Sequence, residues 1–205
     1  MRSLERTKGS AAERRASRGA LGPKRALLAA LALGIGATHL LTMTLVYDSP
    51  KVEGLWLCHV APFVLGFGCA VGSVPVASIG TLWLAFGFPL WLSEVLAAGG
   101  PPAPTPVLVH GGTLVVGLIA ARTLGWDREA WWRAYIALLA LAGVTRLAPG
   151  AEHSNVNLIF EVWPGWEGVF PTVGSFVAFL GLAIPVVFYL LGKILAKIPR
   201  RDGAA

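Results

Sequence analysis

The sequence is poor in charge and poorer still in acid: 14% of its 205 residues are Asp, Glu, Lys or Arg, and only 11 of those are acidic. With 55% hydrophobic residues beside so little charge, a large water-soluble catalytic domain is excluded. Cysteine is nearly absent. Cys58 and Cys69 are its only representatives, which rules out a disulfide framework and the Cys-X-X-Cys pairs of a structural zinc site. The two thiols lie eleven residues apart in one apolar stretch, about 16 Å along a straight helix and beyond the reach of a disulfide. No pair of histidines has the i, i+4 spacing of a helical metal site, so neither a metal nor another cofactor is assigned. Repeats of solenoid length and inverted halves are lacking too.

What the chain does have is long apolar runs, and its mean hydropathy is +0.66. The pattern predicts an all-α polytopic membrane bundle of about six spans, near 26–47, 54–73, 76–98, 106–121, 134–148 and 172–192. Residues 1–25 read as a disordered basic arm and 193–205 as a basic tail. The stretch from Gly99 to Pro106, with four prolines, reads as a stiff loop. Trp126, Trp131 and Trp132 mark interfacial depth in the connector before the fifth span. The formal charge of +6 does not describe a nucleic-acid surface. With the amino terminus in the cytoplasm, six spans place 15 of the 17 Lys and Arg on that side, and only Lys51 and Arg146 opposite. Both termini are therefore expected in the cytoplasm, in a multi-pass protein of the plasma (inner) membrane.

That topology sorts the polar residues by depth. Cys58 and His59 lie one turn into the second span from the outer side, His110 one turn into the fourth, and Glu94 closes the third. His39 is in the outer half of the first span and Arg146 near the outer end of the fifth. The loop 149–171, with His153, Asn157, Glu161, Trp163 and Trp166, is also outside. Polar side chains in lipid are costly unless they face one another or a wet cavity, so their gathering predicts one outward-facing pocket. A thiol beside an imidazole is the minimum for covalent acyl chemistry, the base withdrawing the proton and the thiolate attacking a carbonyl.

Three stretches, in order and spacing, resemble the YwaF-type family of integral membrane acyltransferases. Leu55-Trp56-Leu57-Cys58 is similar to that family's Leu-Pro-Leu-X-Leu-Cys, His110-Gly111 to its His-Gly, and Asn157-Leu158-Ile159-Phe160 to its Asn-Tyr-Met-Tyr. Pro164 and then Phe170-Pro171 stand where the family has Gly-Pro-Trp-Pro-Trp-Tyr, a reduced form of that signature. The resemblance spans roughly residues 35–195 and implies an enzyme that moves an acyl chain from a phospholipid to its cysteine and on to a lysolipid. Cys58 would be the nucleophile and His110 or His59 the base and acid. The Asn157 amide would polarise the carbonyl. Arg146, Glu94 and Trp163 are candidates for substrate binding, with Arg146 holding a phosphate, and membrane phospholipids are the expected partners.

Each residue also has a plainer reading. Cys58 packs as a small apolar residue, His110 donates to a carbonyl of a neighbouring helix, and His39 makes an interhelical hydrogen bond. Arg146 snorkels to headgroups or pairs with Glu94 or Glu152, Asn157 caps the loop, and Trp163 anchors at the interface. At the level of function, two alternatives stand beside the enzyme. One is a transporter or lipid-binding scaffold, and the other a redox or metal protein with His39, His59, His110 and Cys58 as ligands.

Overall fold

The computed structural model describes residues 22–99 and 103–199. Most of the basic arm (1–21), residues 100–102 of the glycine-proline stretch, and the tail from Arg200 on lie outside the described residues. The fold is an all-α membrane bundle, with no strand among the described residues. Its helices are α1 (Pro23–Leu45), α2 (Leu57–Val71), α3 (Val74–Ala98), α4 (Pro104–Leu124, interrupted by a π-helical turn at Leu108–Gly112), α5 (Ala130–Leu147) and α6 (Val173–Leu195).

Four of these, α1, α3, α4 and α6, are long and apolar enough to cross a membrane. Their flanks expose Leu31, Leu41, Leu96, Ile119, Leu182 and Ile194, large side chains suited to lipid rather than water. The predicted second span is shortened. Trp56 is extended (φ −54°, ψ 137°) and Gly72 left-handed (φ 69°), so α2 keeps 15 residues, about 22 Å against a hydrocarbon core of about 30 Å. The fifth starts earlier than predicted, bringing Trp131 and Trp132 into α5, whose apolar run Arg133 and Arg146 interrupt. The proline stretch also differs: Pro104 and Pro106 sit inside the first turn of α4. Proline is tolerated there because first-turn N–H groups have no helical acceptor.

Glycines let α2 and α3 approach backbone to backbone. A Cβ on Gly80 would lie 2.5 Å from the Leu65 main-chain nitrogen, and one on Gly68 would collide with that of Ala77. The link between these helices is tight, with the Ser73 N–H donating to the Gly68 carbonyl at 2.8 Å. Trp83 of α3 donates its indole N–H to the Ala134 carbonyl of α5 at 3.1 Å. Prolines free carbonyls for such contacts: Pro185 has no N–H to give the Gly181 carbonyl, which instead accepts from the Tyr135 hydroxyl at 2.8 Å. Within α2, Pro62 likewise removes the helical donor for the carbonyl of Cys58.

Candidate functional site

The polar side chains gather at one end of the bundle, around a cavity of about 610 Å³. Its walls come from all helices, with the loop before α6 across it. Apolar groups dominate: Phe86, Leu90, Leu138, Leu180, Ile184 and Val187 face Cys58, His39, His59, His110 and Glu94. Cys58 and His59 enter because Trp56 breaks the backbone and starts α2 just before them. Opposite Cys58, Gly87 leaves room; a Cβ there would stand 3.6 Å from the Cβ of Cys58.

Both predicted bases are oriented by the main chain. His59 donates Nδ1–H to the Glu53 carbonyl at 2.8 Å, and His110 donates Nδ1–H to the Pro106 carbonyl at 2.9 Å. A carbonyl only accepts, so each bond sets the tautomer and leaves Nε2 as the basic nitrogen. The partner of His110 is in its own helix rather than a neighbouring one. His110 lies in the π-helical turn, a wider turn that recurs at functional sites, and its ring stacks on Trp91 at 4.7 Å and 6°. Among the described residues no hydrogen bond joins the Cys58 thiol to either imidazole. Both cysteines are free thiols.

His39 was expected to bond a neighbouring helix, but neither of its nitrogens has a partner among the described residues. Its ring meets that of His59 edge-on at 4.7 Å, and His59 is 6.5 Å from His110. Three imidazoles from α1, α2 and α4 therefore form one row. Even so, no group of three or more His, Cys, Asp or Glu side chains among the described residues is arranged to hold a metal ion.

Asn157 lines the cavity, yet its amide is engaged on protein. Oδ1 accepts from the Leu57 N–H at 2.8 Å, while Nδ2 donates to the Leu55 carbonyl at 2.9 Å and to Thr145 Oγ1 at 3.0 Å. It clamps the start of α2, just before Cys58, and its left-handed backbone (φ 59°) suits an asparagine. Leu158 shares that conformation (φ 58°) and also lines the cavity, a strained backbone for a leucine. Glu94 and Trp163 line the cavity too. Arg146 is exposed, donates to the Ile159 carbonyl at 3.5 Å and lies over the Phe160 ring, so it pairs with neither Glu94 nor Glu152. His153 is exposed in the loop, 3.5 Å from Glu152.

These features define a class: a helical integral membrane protein with an apolar cavity carrying a thiol and three imidazoles at one end. Neither family models, nor curated proteins, nor solved structures match the chain.

Proposed function

We propose that the protein is an integral membrane acyltransferase that carries an acyl chain on Cys58, as its resemblance to the YwaF-type family implies. The observation that carries this reading is the placement of one thiol and two carbonyl-oriented imidazoles in a largely apolar cavity, walls suited to a lipid chain. In the first half-reaction the Cys58 sulfur attacks the donor ester carbonyl while Nε2 of His110, or of His59, takes the thiol proton. The C–O bond breaks, and that proton passes to the departing lysolipid oxygen. The Cys58 main-chain N–H, in a first turn where a helix offers no acceptor, is available to the oxyanion. A lysolipid hydroxyl then takes the acyl group, restoring the thiol. Asn157 acts by holding the start of α2, and Glu94 and Trp163 border the headgroup end.

The test is the intact mass of the purified protein after incubation with phosphatidylethanolamine and phosphatidylglycerol vesicles, before and after hydroxylamine. An acyl-sized, hydroxylamine-labile adduct is expected on the wild type and not on Cys58→Ala. No adduct, with lipid turnover indifferent to Cys58→Ala, would favour a binding or transport protein.

A further inference from the structure

His39 is 3% exposed, and both of its ring nitrogens are without a hydrogen bond among the described residues. Buried polar groups without partners are rare because each forfeits its hydration. The position of this one is also unusual. His39 borders the main cavity and a second one of about 260 Å³, which lies between α1 and the first turns of α4. Ala30, Leu31, Gly34, Ile35 and Leu108 give this smaller chamber apolar walls and leave it open to the surface of the bundle, with Thr38 and Thr105 as its other polar residues. The Thr105 hydroxyl is itself buried without a partner among the described residues. Two orphaned polar groups thus share one mostly apolar chamber, and one of them also reaches the reaction cavity.

We propose that this chamber receives the acyl acceptor, a monoacyl lipid with a free hydroxyl, and that His39 is the catalytic base of the transfer half-reaction. The inference rests on the acyl-enzyme reading above. An ester donor brings no proton to remove, whereas an acceptor hydroxyl needs a base beside it. His59 and His110 each have Nδ1 committed to a carbonyl, but His39 is held by none among the described residues, so either tautomer is open to it and either nitrogen can serve as the basic one. In the step, the acceptor O–H bond breaks and its proton goes to His39. The oxygen forms a bond to the thioester carbonyl carbon, the C–S bond breaks, and the leaving thiolate takes the proton from His39. The products are the new ester, the free Cys58 thiol and neutral His39, with no change of oxidation state. Thr105 donates its hydroxyl hydrogen to the acceptor.

The experiment separates the two half-reactions. Protein in vesicles is given phosphatidylethanolamine with a radiolabelled acyl chain, then lysophosphatidylethanolamine. Label held as hydroxylamine-labile adduct and label in the new lipid are followed separately. His39→Gln is expected to form adduct within about twofold of the wild-type rate and to lose about 10²–10⁴-fold in transfer, the usual range for a general base. Equal loss in both steps, or no loss in transfer, overturns the assignment. Gly34→Leu tests the chamber without touching the imidazole, because nothing lies within 4 Å of a Cβ at that position. It is expected to raise the lysolipid concentration needed for half-maximal transfer about tenfold and leave adduct formation alone; an unchanged lysolipid dependence overturns the chamber as acceptor site. A wild type that forms no adduct overturns both this inference and the reading beneath it, a result distinct from adduct that forms and transfers normally in the variants.

Discussion

At the scale of single residues, the site is built from groups whose hydrogen bonds reveal their work. Asn157 makes three bonds, to Leu57, Leu55 and Thr145, and both of its N–H donors are used, so none is left to polarise a substrate carbonyl. Asn157→Ala is therefore expected to destabilise the fold by about 1–3 kcal/mol, from the partners left unsatisfied around the start of α2. Thermal unfolding in detergent would register this, with activity falling in step with stability; a variant of wild-type stability that fails to acylate Cys58 would instead put the amide on substrate. His110 has a different signature, a single bond that orients the ring. His110→Gln is expected to slow adduct formation about 10²–10⁴-fold at little change in stability, read by the rate of hydroxylamine-labile label. A wild-type rate would transfer the role of base to His59.

At the scale of elements, prolines and glycines decide where helices can meet. Tyr135 and Pro185 are coupled through one carbonyl, since the proline offers Gly181 no N–H and the tyrosine hydroxyl donates to it instead. Tyr135→Phe is expected to destabilise the protein by about 1–3 kcal/mol, and by less in a Pro185→Ala background, where the helical donor returns. A double-mutant cycle on thermal unfolding measures the difference, and strict additivity would deny the coupling. The α2 and α3 pair depends on glycine in a harsher way, because Gly80 lies against backbone, which does not yield. Gly80→Val is expected to abolish well-folded protein on size-exclusion chromatography, overpacking of this kind costing about 1–3 kcal/mol even where side chains can adjust. A monodisperse variant would mean the helices separate more easily than their contact implies.

At the scale of the whole molecule, the cavity lies at one end of the bundle, and the positive-inside count predicts that this end faces away from the cytoplasm. In a background of Cys58→Ala and Cys69→Ala, an impermeant maleimide applied to intact cells is expected to label Glu167→Cys and not Arg128→Cys, both exposed positions. Labelling in the reverse order would place the cavity mouth on the cytoplasmic side. The membrane character and helical fold were legible from composition and apolar length, and six helices lie near the predicted apolar runs, four of them long and apolar enough to cross a membrane. Helix boundaries at Trp56 and Pro104 were not, because a turn that breaks or starts a helix depends on backbone angles that hydropathy does not encode. The convergence of Cys58, His59, His110, Glu94, Asn157 and Trp163 was foreseen from their common depth; Arg146 shares that depth and points elsewhere. His39 was placed at that depth as well, but with an interhelical hydrogen bond that no described residue supplies.

By itself the sequence determined that this chain crosses membranes as helices and that Cys58, His39, His59 and His110 lie toward one end of their apolar runs. Those properties follow from local apolar length and from the cost of burying charge in lipid. Only the tertiary structure decided which face of each helix looks inward. That choice turned Asn157 into a clamp, left His39 without a hydrogen bond among the described residues and opened a second chamber beside it. The reason is geometric: depth along a span is set by position in the sequence, whereas direction around the helix axis matters only once neighbouring helices are packed against it.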